Sequence, residues 1–213
     1  MINRRSFIIG IKSLSLSKKE INFLKVYKPW GIILFSRNIK SLKQAKKLTD
    51  QIKTIFKDKR YPILIDQEGG RVNRLKKIFK ADSFTGDFFG KLYLTDKKKF
   101  NLHYRSFINQ TSHLLRSIGV NINTLPVLDL RSKGATNIIG DRSFSNDKKI
   151  ASKIGDVCID YFHENKIGTV IKHIPGHGLA KVDSHKQTPI VKKKLDYLIK
   201  NDFSVFKNKA SLF

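Results

Sequence analysis

The sequence predicts an α/β protein, an incomplete (β/α)8 barrel of about five βα units, and three observations predict it. Short apolar, β-rich runs alternate with amphipathic helical patterns along the chain. The runs are continuously apolar instead of alternating, as expected of parallel strands covered by helices. Polar motifs follow strands two, three, four and five alike, the habit of a barrel whose strand ends all feed one site. A doubly wound sheet would place a glycine-rich phosphate loop after strand one. Ile8-Ile9-Gly10 is followed only by Ile11-Lys12-Ser13, so the barrel is preferred.

The elements follow in order. Strands are predicted at residues 7–11, 31–35, 62–66, 120–130 and 168–174. Ser17-x-x-Glu20 is a capping box opening a helix that ends before Pro29. Ser41-x-x-Gln44 opens the next, with Leu42, Ala45, Leu48, Ile52 and Ile55 on one face. A third helix is expected over residues 102–118, ended by Gly119. A fourth follows Ser145-Asn146 and stops near Gly168, and a last one is expected near residues 195–206.

At 213 residues and 24.5 kDa the chain is read as one domain, residues 1–213, with 40% hydrophobic content to build a core. Its single cysteine, Cys158, falls in a helical pattern and is expected to be a small buried hydrophobe. One cysteine cannot staple a fold, which suits a reducing compartment. The start, Met1-Ile-Asn-Arg-Arg-Ser-Phe-Ile-Ile-Gly, imitates a twin-arginine signal, but Lys12 interrupts the apolar run. No stretch approaches the ~20 apolar residues of a membrane span. The expectation is a cytoplasmic protein without a membrane partner. The net charge of +26 comes from lysines scattered in small groups on helix faces and ends. No recognition element organises them, so no specific nucleic acid is expected as a partner.

The polar motifs carry the chemistry. Strand three ends in Asp66-Gln67-Glu68-Gly69-Gly70-Arg71-Val72-Asn73-Arg74. Strand four ends in Val127-Leu128-Asp129-Leu130 and leads to Gly140-Asp141-Arg142-Ser143-Phe144. Strand five gives Lys172-His173-Ile174-Pro175-Gly176-His177-Gly178, then Asp183-Ser184-His185. Singly, each has a bland reading: Asp66 and Glu68 as helix caps, Gly69-Gly70 as a turn, Arg74 and Arg142 as surface ion-pair groups. His173, His177, Asp183 and His185 are legitimate zinc ligands, yet their spacing matches no compact zinc signature, and neither metal nor cofactor is expected. His103, His113 and His163 are expected at the surface or at helix ends.

Taken together, Asp-Gln-Glu-Gly-Gly-Arg-Val, Gly-Asp-Arg-Ser-Phe, Lys-His-x-Pro-Gly-His-Gly and Asp-Ser-His resemble one family. In order and spacing they are similar to the bacterial β-N-acetylglucosaminidases (β-hexosaminidases) of glycoside hydrolase family 3. The resemblance covers residue 7 to the end. It implies a (β/α)8 glycosidase removing terminal β-linked N-acetylglucosamine from peptidoglycan fragments during cell-wall recycling, by a retaining mechanism. It further implies that Asp66, Arg74, Arg142, Lys172 and His173 bind the sugar. His185 becomes the general acid/base, and Asp183 orients and charge-tunes it. A histidine near its ordinary pKa suits proton transfer near neutrality.

A complete (β/α)8 barrel takes about 250 residues. Five strands are spent by Ile174, so strands six to eight have no sequence to form them. A retaining glycosidase also needs a carboxylate nucleophile. The family's aspartate, in a Ser-Asp-Asp-like motif, has no match here, and Asp196 and Asp202 lie in the wrong context. A truncated gene product, a frameshift remnant and a partial record all fit these facts. Two other readings are a sugar-binding or structural remnant without turnover and a basic nucleic-acid-binding protein.

Overall fold

The computed structural model describes residues 4–132, 134, 137–182, 187–207 and 209. Five parallel strands form one sheet in the order of the chain: β1 (Arg5–Gly10), β2 (Pro29–Leu34), β3 (Ile63–Ile65), β4 (Ile122–Asn123) and β5 (Gly168–Thr169). The main helices are α1 (Lys18–Tyr27), α2 (Leu42–Ile55), α3 (Gly86–Thr95), α4 (Lys97–Ser117), α5 (Lys148–Glu164) and the short α6 (Leu195–Lys200). Neighbouring strands consecutive in sequence, each reached through a helical crossover, are the wall of a (β/α)8 barrel traced through five strands.

Local chemistry sets the helix ends. Ser17 Oγ accepts from the Glu20 amide at 3.2 Å while Glu20 Oε2 accepts from the Ser17 amide at 2.8 Å, so the expected capping box opens α1. Ser41 caps α2, which buries Ala45, Leu48 and Ile52. Expected Leu42 instead lies on the exposed flank. Asp96 caps α4, which starts at Lys97, five residues before the expected start, and Asp147 caps α5, which follows Ser145-Asn146 as expected. Helix α3 was not expected, because glycines at positions 86 and 90 lower its intrinsic propensity. Thr85 caps it, and packing of Phe89 on Tyr104, with ring centroids 4.4 Å apart, holds it in place.

Strands four and five are shorter than expected. Pro126 has no N–H to continue a ladder, so β4 stops at Asn123, and pairing resumes only as a bridge from Val127 to Lys172. Cys158 is fully buried, and burial pushes its thiol up to about 12. It is the small buried hydrophobe expected. His103, His113 and His163 are exposed on α4 and α5.

Strand register is what positions the site. Leu34, Ile65, Asn123 and Thr169 form one row across the sheet. The next residues, Phe35, Asp66, Thr124 and Val170, therefore leave the strands along one rim. The reciprocal pair Asn123 Nδ2 to Gln67 O and Gln67 N to Asn123 Oδ1, both at 2.9 Å, extends the β3–β4 contact past the ladder.

Candidate functional site

Asp66 emerges one residue past β3 and is the junction of three elements. Its Oδ1 accepts from Lys172 Nζ at 3.1 Å and from the Thr124 hydroxyl, and its Oδ2 accepts from Arg74 at 3.3 Å. Burial opposes its ionisation, but Lys172 and the Thr124 hydroxyl outweigh that and hold the carboxyl down at about 2. Asp66 is thus a fixed anion at neutral pH.

Glu68 lies two residues on and deeper, with a side chain only 5% exposed. Arg142 donates to it through Nε and a terminal nitrogen, both at 2.8 Å, and Lys172 Nζ lies 2.5 Å from Oε1. Burial again works against the anion, but the bidentate pairing with Arg142, together with the Lys172 charge, keeps its pKa below the usual carboxylate range. The turn that presents Glu68 requires both glycines. Gly69 has φ +93°, and a Cβ there would sit 2.2 Å from the Phe84 carbonyl oxygen; Gly70 has φ +53° and would meet Thr85 at 2.8 Å.

His173 joins from the segment after β5. Its Nδ1 lies 2.5 Å from Asp129 Oδ2, and its Nε2 lies 3.4 Å from an Arg142 terminal nitrogen. Asp129 also accepts from the backbone N–H groups of His173 at 3.2 Å and His177 at 2.6 Å. Its side chain is wholly buried.

All five expected sugar-binding residues, Asp66, Arg74, Arg142, Lys172 and His173, therefore meet in one polar cluster on the strand-end rim. The expected catalytic pair, Asp183 and His185, lies outside the described residues. Three contributors went unassigned in the sequence: Glu68, Thr124 and Asp129. Glu68 carried a usable signal, being two residues from Asp66 and so on the same side of an extended chain. Asp129 carried another, since an acid inside the apolar run Val127-Leu128-Asp129-Leu130 needs partners if buried. Among the described residues, no three His, Cys, Asp or Glu side chains form a metal-sized group. No helix among them is long and apolar enough to cross a membrane.

The cluster can do two things chemically. It offers cationic N–H donors and a carboxylate acceptor side by side, partly open to solvent. It also holds them rigidly, because each charged group is bonded to another.

The chain is 32% identical over 203 residues to a β-hexosaminidase of Hydrogenovibrio crunogenus, covering 93% of this chain and 55% of that protein. It is 31% identical over 199 residues to a β-hexosaminidase of Xanthomonas campestris pv. campestris, covering 93% and 59%. The chain thus spans little more than half the length of these curated relatives. The crystal structure of native NagZ from Neisseria gonorrhoeae superposes with a TM-score of 0.86 at 28% identity, covering 96% of this chain and 59% of that one. Another structure of that protein is a complex with N-trifluoroacetyl-D-glucosamine. Residues 8–210 match the glycosyl hydrolase family 3 N terminal domain, and the chain belongs to that family.

Proposed function

We propose that this chain carries the sugar-binding portion of a β-N-acetylglucosaminidase that acts on terminal β-linked N-acetylglucosamine. The observation that carries the reading is the convergence of Asp66, Arg74, Arg142, Lys172 and His173 from three separate strand-end segments. In it Asp66 accepts from ring hydroxyls, and Arg74, Arg142 and Lys172 donate to sugar oxygens. Support comes also from the β-hexosaminidase relatives and from the Neisseria neighbour solved with an N-acylated glucosamine.

Chemistry in this reading is retaining double displacement. His185 delivers and recovers the proton, and Asp183 orients it. The natural substrates are N-acetylglucosamine-containing peptidoglycan fragments in the cytoplasm, where a lone buried thiol such as Cys158 is at home. The three carboxylates of the described cluster, Asp66, Glu68 and Asp129, are all committed to holding cations or N–H groups. None is assigned as nucleophile. Within the reading, this 213-residue chain by itself binds the sugar without turnover at family-like rates.

Calorimetric titration of the purified chain with N-acetylglucosamine tests the binding. Saturable binding is expected, weakened at least about tenfold in Arg74→Ala and His173→Ala, since charge-assisted hydrogen bonds are at stake. A folded chain without saturable binding would overturn the reading. Turnover is assayed with an aryl β-N-acetylglucosaminide. Activity that survives repurification and vanishes in the Asp183→Asn/His185→Ala double variant would show that the chain contains its own nucleophile.

A further inference from the structure

We propose that Asp129 is a positioning residue that sets the tautomer of His173 and anchors the segment leading towards residues 183–185. The proposal rests on the sugar-binding reading for its consequence, but not for its geometry.

The Asp129 side chain is wholly buried, so its ionised form requires partners. Among the described residues, every hydrogen-bond partner of its carboxylate is a nitrogen of the His173 or His177 segment. Oδ2 receives the His173 backbone amide at 3.2 Å and faces the His173 ring nitrogen Nδ1 at 2.5 Å, while Oδ1 receives the His177 amide at 2.6 Å. An ionised carboxylate can only accept, so Nδ1 must carry a hydrogen.

The other side of the ring gives the same answer independently. Nε2 lies 3.4 Å from an Arg142 terminal nitrogen, and a guanidinium can only donate. A hydrogen on Nε2 would point donor at donor. The geometry therefore places the hydrogen on Nδ1 and the Nε2 lone pair on the Arg142 side. There it accepts from a sugar hydroxyl whose oxygen takes a hydrogen bond from Arg142. One hydroxyl is read as donor and acceptor at once, which neither residue manages alone.

The second oxygen adds the anchor. His177 lies between Pro175-Gly176 and Gly178, four residues past His173, and its amide bond to Oδ1 fixes this stretch to the segment that follows β4. Ring orientation and loop root thus share a single carboxylate. Asp202, also buried, stands close enough for Asp129 to add to the burial that raises its carboxyl pKa.

Long-range 15N–1H NMR of imidazole nitrogens in the wild-type chain at about pH 8, well above the ordinary histidine pKa, reads the tautomer directly. The Nδ1–H form is expected for His173. The Nε2–H form, or an even mixture of the two, would overturn the proposal without any variant. In Asp129→Asn, an isosteric change, one amide oxygen cannot serve both histidine segments. The tautomer signal should shift or the His177 amide should lose protection from exchange. N-acetylglucosamine affinity should then fall roughly tenfold or more, with Asp129→Ala falling further. Unchanged tautomer, amide protection and affinity in Asp129→Asn would refute the anchoring role. If the wild-type chain shows the Nδ1–H form and binds no sugar, the sugar reading fails while the positioning geometry stands.

Discussion

The strand-end rim and the outer helical faces use charge in opposite ways. On the rim, Asp66 and Glu68 stand against Arg74, Arg142 and Lys172, and Asp129 accepts from N–H groups of the segment after β5. Their side chains are 28% exposed at most. On the helices, pairs such as Lys46–Asp50 and Arg105–Glu164 are about half exposed, and unmatched lysines account for the large excess of positive charge. The loud number, +26, thus describes the outside of the molecule. The quiet, nearly balanced set inside carries the chemistry. Buried charges must be paired because desolvation is costly, while exposed ones are screened by water and salt.

The sharpest way to break this contrast is Glu68→Ala. It leaves Arg142 without its bidentate partner and Lys172 without its nearest anion. Breaking a buried pair in this way costs about 3–5 kcal/mol. Urea unfolding checks it, and a loss below about 1 kcal/mol would mean that the rim is as forgiving as the surface.

Gly69→Ala probes the turn that places Glu68. A side chain there is strained by the positive φ and overlaps the Phe84 carbonyl, so a loss of roughly 3 kcal/mol is expected. Thermal unfolding reads it.

Acid sharpens the comparison further. The Asp66 pKa is depressed from 3.8 to about 2, so its contribution is fully present above the ordinary value and is lost as pH falls through about 2. The amount is about 2 kcal/mol. Unfolding followed from pH 5 down to about 2 should show this loss in the wild type, and Asp66→Asn should flatten the curve over that window.

The smallest effect belongs to the helical face. Lys46→Ala, which removes an exposed i,i+4 pair, should change stability by less than about 0.5 kcal/mol. A change comparable to Glu68→Ala would erase the distinction between the two regions.

Much of the fold was legible in the sequence because its signals are local. The capping box Ser17-x-x-Glu20 and the apolar spacing of α2 act within a few residues of themselves. So does Gly119, whose φ of +78° lets the chain leave α4. What failed locally failed for a tertiary reason. The glycine-containing α3 needs the aromatic wall of Tyr104 and Phe107. Helix α4 starts at Lys97, five residues before the expected 102, and its first turn packs Phe100 edge-on against Tyr93.

The candidate site divides along the same line. By itself, the sequence determined the strand–helix alternation, the family resemblance and the five residues that meet on the rim. Those depend on residue type and order along the chain. Only the tertiary structure decided which charges are buried, and so that Arg142 forks onto Glu68, that Thr124 stands beside Asp66 and that Asp129 holds two histidine segments. The partners in these contacts are 44 to 74 residues apart in the chain. Strand register sets their approach, and a carboxylate in an apolar run acquires a role only when folding supplies the donors that satisfy it.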